Sequence, residues 1–115
     1  MSLKYHTRNV DGVSILDLSG RITLGDGSVT LREAISESLA KESNRILLNL
    51  EEVDFIDSSG LGELVSAFTS VKKRGGELKL LHLTTRVQDL LQITKLYTVF
   101  DIRDDETSAV GSFLR

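Results

Sequence analysis

The sequence predicts an α/β fold: one domain, residues 1–115, with a mixed, mostly parallel β-sheet of about five strands, an N-terminal hairpin and about four α-helices. Short apolar runs of strand length alternate with longer segments whose apolar residues recur every three or four positions. Strands that alternate with helices form parallel pairs through crossover connections. The 115 residues suffice for one hydrophobic core, and neither a repeat nor a linker divides them.

Two strand-like segments, residues 3–9 and 13–19, predict the opening hairpin because they flank Asp11-Gly12. Asp-Gly favours the tight turns that join antiparallel strands. The second segment is apolar on both faces, which is typical of an interior strand covered on two sides. We expect this strand to end at Gly20 and a loop to follow.

The first helix is expected from about Asp26 or Ser28 to Glu42. Its N-terminus is left open, because Asp26, Ser28 and the Thr30-x-x-Glu33 pattern each fit an N-cap. The residues expected to face the core are Leu31, Ala34, Ile35 and Leu39.

A near-continuous apolar run, residues 45–50, then predicts a central parallel strand. Residues 53–74 predict the end of a buried strand, an abrupt turn at residues 57–60 and a long amphipathic helix, which stops before Gly75-Gly76. The helix carries one apolar stripe, formed by Leu61, Leu64, Val65, Phe68 and Val71. Burying such side chains contributes about 1.5–3 kcal/mol each, so packing should hold this strand, turn and helix rigidly.

The last third of the chain predicts three short elements and a weaker terminal helix. Residues 77–81 form an apolar strand, Thr84 or Thr85 begins a short helix, residues 96–102 contain the last strand, and residues 106–114 form the terminal helix. The short helix bears Val87, Leu90, Leu91 and Ile93 as its candidate core residues.

Composition argues against several classes of function. The net charge of -3 and the pI near 5.3 disfavour a nucleic-acid-binding surface. No apolar run approaches 18 residues and the N-terminus lacks a signal peptide's apolar region, so we expect no membrane segment and a cytoplasmic protein. Without cysteine there is no disulfide framework and no thiolate metal site.

Catalysis is also disfavoured. His6 and His82 have no sequence cue that would make either one a general base for Ser58 or Ser59. No group of side chains has metal-ligand spacing, and the glycines match no phosphate-binding motif. We therefore expect no enzyme activity, no metal and no cofactor.

The turn at residues 57–60 is the best candidate site, because loops at the carboxyl ends of parallel strands commonly carry function. A purely structural interpretation explains its residue types: Asp57 or a serine caps a helix, and Gly60 eases the bend. The alternative interpretation is a signalling site, with two serine hydroxyls presented at a helix N-terminus.

Over essentially its whole length the chain resembles the STAS-domain anti-sigma-factor antagonists of bacteria, the SpoIIAA/RsbV type. The match lies in DFIDSSGLGELV (residues 54–65), GGELKLL (residues 75–81) and VQDLLQITKLYTVFDI (residues 87–102). The order of strands and helices also agrees. Asp-Ser-Ser-Gly-Leu-Gly in this context favours the signalling interpretation of the turn.

The resemblance implies a small binding module whose partner is an anti-sigma factor that is also a serine kinase. The kinase would phosphorylate Ser58, the phosphorylated form would no longer bind, and a serine phosphatase would reset it. We expect Gly60 and Gly62 to keep the helix start open to a partner's backbone. The expected partner-binding residues are Asp57, Ser59, Gly60, Leu61, Gly62, Arg21 and Thr23.

One position departs from the family pattern: Thr23 stands where relatives often carry an acidic residue, in a loop that commonly contributes to the partner surface. The alternative function is a structural STAS subunit of a signalling scaffold or of a transporter complex, without a phosphorylation switch. Measuring the size of the purified protein separates the two, because the first predicts a monomer or weak dimer.

Overall fold

A computed structural model describes residues 3–114 and begins with the predicted hairpin. Strands β1 (Lys4–Val10) and β2 (Val13–Ile22) pair in antiparallel register, with Val10 opposite Val13. Asp11 and Gly12 both have positive φ angles, 52° and 83°, as a tight primed hairpin turn requires. The hairpin turn that Asp11-Gly12 predicts is therefore confirmed.

Strand β2 runs two residues further than predicted. Gly20 does not end it but takes a φ of 113°, and the register with its parallel neighbour shifts between Asp17 and Ser19 and again between Gly20 and Arg21. Such irregularities bend a strand without ending it. The extension to Ile22 brings the end of β2 beside the predicted functional turn.

Five strands form one sheet in the order β1-β2-β3-β4-β5, and every pair except the hairpin is parallel. The remaining strands are β3 (Arg45–Ile56), β4 (Glu77–Leu81) and β5 (Asp101–Arg103). Strand β3 lies in the centre, as predicted, but continues beyond the apolar run that ends at Leu50, because residues 52–56 still pair with β2 and bury Val53 and Ile56. The predicted mixed, mostly parallel sheet is confirmed.

Helices cover both faces of the sheet. Helices α1 (Asp26–Ala40), α2 (Ser58–Lys73) and α3 (Thr85–Ile93) pack on one face, over the main hydrophobic core. Helix α4 (Glu106–Phe113) packs on the other face, over a smaller core. The smaller core consists of Val13, Ile15, Leu47, Leu81, Ala109, Val110 and Phe113.

Two local predictions differ from the structure. Helix α1 has Gly25 at its N-cap and no side chain caps it, because the Ser28 hydroxyl instead donates to the backbone oxygen of Thr23 at 3.1 Å. The last strand is only three residues long: Lys95 takes a left-handed φ of 63°, and a 3₁₀ turn, Leu96–Thr98, occupies the first three of the seven residues predicted to contain the strand.

One lysine is enclosed beneath α4. The Lys79 ammonium donates to the backbone oxygen of Ser112 at 3.1 Å and to its hydroxyl at 2.7 Å. It also lies 3.4 Å from a carboxylate oxygen of Asp101 and 4.7 Å from the centre of the Phe113 ring. A buried charge of this kind is stabilised only by such close partners, so the contacts help fix α4 on the sheet.

Candidate functional site

Strand β3 delivers Asp57 to the carboxyl edge of the sheet, where α2 begins. Asp57 has extended backbone angles and caps the helix, because one carboxylate oxygen accepts the Gly60 backbone N–H at 2.8 Å. The other oxygen accepts the backbone N–H of Leu24 at 3.0 Å. A single side chain thus joins the start of α2 to the loop between β2 and α1.

These backbone donors stabilise the ionised carboxylate. They lower the pKa of Asp57, with the bond from Gly60 as the largest cause and the bond from Leu24 next. At neutral pH Asp57 is therefore an anion directly before Ser58.

The turn and the loop also touch through their backbones. The Asp57 N–H donates to the Ile22 oxygen at 3.2 Å, and a β-carbon placed on Gly60 would lie 1.9 Å from that same oxygen. Gly27 approaches the Arg21 oxygen in the same manner, with 2.6 Å to an added β-carbon. The glycines let β2, α1 and α2 converge at this edge, which forms one rigid unit.

The two serines of the turn differ in accessibility. Ser58, the first residue of α2, is exposed, whereas Ser59 is half-buried. Gly62 lies one helical turn after Ser58, is exposed, and would have no atom within 4 Å of an added β-carbon. The space in front of the Ser58 hydroxyl is therefore open to solvent.

Two predicted partner-binding residues lie inside the protein. Gly60 is buried against Ile22, so the expectation that it leaves the helix start open was wrong. Leu61 is buried as well and belongs to the main core. Both support the turn from within, because the first turn of α2 faces the sheet on that side.

The remaining predicted residues lie at the surface. Arg21 is exposed, 3.7 Å from a carboxylate oxygen of Asp54, and its guanidinium lies 5.9 Å from the centre of the Phe55 ring. Thr23 is half-buried, and its backbone oxygen accepts the Ser28 N–H at 3.0 Å.

Sequence reasoning missed two apolar residues at this edge. Leu24 is 77% exposed although its backbone is held by Asp57, and Ile93, which the helical spacing assigned to the core, is 79% exposed. The position of Leu24 between Thr23 and Gly25, outside any periodic stripe, was a usable signal. For Ile93 the signal was weak, because it is the last residue of a short helix.

Two other features were searched for within residues 3–114. No three histidine, aspartate or glutamate side chains there group so as to hold a metal ion. None of the helices described is long and apolar enough to cross a membrane.

Comparison with known proteins identifies the family of the chain. The model of the STAS domain family matches residues 4–109. The anti-sigma-B factor antagonist of Listeria monocytogenes is 31% identical over 97% of this chain and 96% of its own length.

Two solved structures share the fold. An anti-sigma factor antagonist from Mycobacterium paratuberculosis has a TM-score of 0.86 at 22% identity and covers 99% of this chain and 96% of its own. The Bacillus cell fate determinant SpoIIAA, in its phosphorylated form, has a TM-score of 0.73 at 20% identity and covers 97% of this chain and 100% of its own.

Proposed function

Because the chain belongs to the STAS domain family, we propose that it is an anti-sigma factor antagonist controlled by phosphorylation of Ser58. The unmodified protein, a monomer or weak dimer in the cytoplasm, binds an anti-sigma factor that is also a serine kinase and so releases the sigma factor. The kinase transfers the γ-phosphoryl group of ATP to the Ser58 oxygen, with loss of the hydroxyl proton and release of ADP. The modified protein no longer binds, and a serine phosphatase restores it.

The exposure of Ser58 at the start of a helix that is otherwise packed into the core carries this proposal. A kinase needs an accessible hydroxyl, and Ser58 meets this requirement better than half-buried Ser59. The name of the relative in Listeria monocytogenes supports the antagonist function, and SpoIIAA, which shares the fold, has a solved phosphorylated form.

A binding function fits the chemistry of the turn better than catalysis does. Within the described residues, no side-chain base is hydrogen-bonded to the hydroxyl of Ser58 or Ser59. A serine nucleophile needs such a base to lose its proton. The hydroxyl is therefore suited to accept a group from another enzyme.

Electrostatics predicts that phosphorylation of Ser58 leaves the fold of the protein nearly unchanged. A phosphate at a helix N-terminus gains about 0.3–1 kcal/mol from the free N–H groups and dipole, and up to ~2 kcal/mol when partly buried. Repulsion from Asp57 opposes this by about 3 kcal/mol per pair of unit charges 5 Å apart at an effective dielectric near 20, and by less in salt. Because the two effects oppose each other at an exposed position, the fold should change little.

At the partner surface the balance is different. Burying a dianion without matching cations costs several kcal/mol. Since about 1.4 kcal/mol corresponds to a tenfold change in affinity, phosphorylation should weaken binding at least about a hundredfold.

Incubation with purified candidate anti-sigma factor kinases and ATP tests the proposal. Trypsin releases residues 46–72 as one peptide, which contains both serines of the turn as well as Ser66 and Ser70, so fragment ions must locate the phosphate. We expect it on Ser58, lost in Ser58→Ala and retained in the matched control Ser59→Ala. Ser58→Asp should bind the kinase at least about a hundredfold more weakly than the unmodified protein. Equal binding by a normally folded Ser58→Asp protein would refute the switch.

A further inference from the structure

A small apolar groove lies between the end of β3 and helix α3, and the turn with Ser58 follows directly from that strand. Its lining is mostly apolar, its volume is about 170 Å³, and Ser58 is not part of it. We call it the α3 groove; its walls are formed by Phe55, Ile56, Val87, Leu90 and Ile93, together with Arg86 and Asp89.

The α3 groove is close to the candidate modification site. Phe55 precedes Ser58 by three residues, and a chain spans at most about 3.6 Å per residue, so their α-carbons are within about 11 Å. A standard protein–protein interface covers about 800 Å² on each partner, the area of a disc about 16 Å in radius. A contact of standard size centred on Ser58 is therefore wide enough to include Phe55 and the groove.

Two strongly exposed apolar side chains lie beside the turn and the groove. Leu24 and Ile93 are the two most exposed large apolar residues in the described part of the chain, at 77% and 79%. Leu24 is hydrogen-bonded to the capping carboxylate of Asp57, and Ile93 forms a wall of the groove. Apolar surface of this kind contributes to affinity when a partner removes it from water.

The size of the groove indicates what enters it. An engineered cavity of about 150 Å³ accepts a benzene molecule, so a space of similar volume holds one large aliphatic or aromatic side chain. The guanidinium of Arg21 lies over the Phe55 wall, 5.9 Å from the centre of the ring, where a cation–π contact is favourable. One side chain inserted between Phe55 and Ile93 would form an anchor typical of protein–protein contacts.

We infer that the α3 groove receives one large apolar side chain of the same anti-sigma factor kinase that contacts Ser58. This inference rests on the proposed function and adds to it a second half of the docking surface. Because the groove contains neither Ser58 nor Asp57, its contribution to affinity does not depend on the phosphorylation state. The partner is thus held by one contact that the modification removes and by one that it leaves intact.

Variants of Ile93 test the inference, because this exposed side chain can be shortened with little effect on the fold. Calorimetric titration with the purified kinase that phosphorylates the chain should show binding to Ile93→Ala weakened about tenfold, which corresponds to about 1.4 kcal/mol. Phe55→Ala removes the opposite wall and should weaken binding by at least as much. Circular dichroism must first show that this variant is folded. The matched control is Val99→Ala, at a partly exposed site beside Glu77 near the amino end of β4, and it should bind as the unmodified protein does.

Combining the variants separates the two halves of the surface. In the Ser58→Asp background, Ile93→Ala should weaken binding by the same factor as in the unmodified protein, because independent contacts add in free energy. A change below twofold for Ile93→Ala would overturn the inference and leave the switch at Ser58 standing. Normal binding by Ser58→Asp with weakened binding by Ile93→Ala would overturn the switch instead. A different factor in the two backgrounds would refute the independence of the groove.

Discussion

Arg8 on β1 donates two hydrogen bonds, of 3.1 and 2.9 Å, to the carboxylate of Glu106 at the start of α4. The same guanidinium donates two more, of 2.6 and 3.0 Å, to Asp17 on β2, which also accepts the Asn49 amide at 2.8 Å. The hydrogen bonds from Arg8 are the main cause that lowers the pKa of both carboxyl groups. One cation thus links the hairpin to the helix on the smaller core.

Stability should therefore fall at acid pH. Asp17 and Glu106 have lower pKa values in the folded protein than in the unfolded chain, where about 4 is usual. Their contribution is complete above the unfolded values and is lost as pH falls through the folded ones. Urea unfolding from pH 7 to pH 2 should show this decline in the free energy of unfolding. Arg8→Leu should lower the free energy of unfolding by about 1–3 kcal/mol at pH 7 and make its dependence on pH less steep. An unchanged acid dependence in Arg8→Leu would contradict this account.

Two substitutions of Asp57 should separate its two hydrogen bonds. Asp57→Ala removes the helix cap and should cost about 0.5–2 kcal/mol. Asp57→Asn keeps one oxygen for the Gly60 N–H but presents an NH₂ group, which cannot accept, to Leu24. It should be clearly less destabilising than Asp57→Ala, yet hydrogen exchange of the Leu24 amide should speed up in both variants. Unchanged exchange at Leu24 would show that Asp57 does not hold the loop in solution.

Alanine substitutions at Gly60 and Gly62 should change the stability of the protein in opposite directions. A β-carbon on Gly60 meets the Ile22 oxygen, so Gly60→Ala should destabilise the protein by about 1–3 kcal/mol or more. Gly62 has open space around it within α2, so Gly62→Ala should stabilise by up to about 1 kcal/mol through helix propensity. Urea unfolding followed by circular dichroism measures both. Similar losses of stability in the two variants would contradict the difference in their surroundings.

Gly62→Ala also probes the docking surface. Because Gly62 is exposed one turn after Ser58, a new methyl group would occupy space that a partner's backbone could approach. We expect a more stable protein that binds the kinase more weakly, by about tenfold. A stabilised variant with unaltered affinity would place the interface away from this face of α2.

The sequence was sufficient for the fold because its patterns are local and strong. The stripe that begins at Leu61 specified α2, and Asp11-Gly12 specified the hairpin turn. The cap of α1 and the late start of β5 were missed, because the first depends on how Ser28 turns toward Thr23 and the second on the left-handed angle of Lys95.

Only part of the candidate site could be predicted from the sequence. The sequence placed Ser58 at a helix N-terminus, since Asp57 is a strong capping residue. It did not indicate that Gly60 faces Ile22, because that contact joins two segments almost forty residues apart. Nor did helical spacing reveal that Ile93, at the end of α3, lies beyond the edge of the core.

The contact of Gly60 with Ile22 has a consequence for the speed of recognition. Where two backbones meet without an intervening side chain, neither segment can shift alone, so the face around Ser58 already has its bound shape in the free protein. Little conformational entropy then remains to be lost when the partner arrives. Association should be a single kinetic phase, with a rate constant on the order of 10⁵–10⁷ M⁻¹s⁻¹, and differences between variants should lie in how fast the complex dissociates.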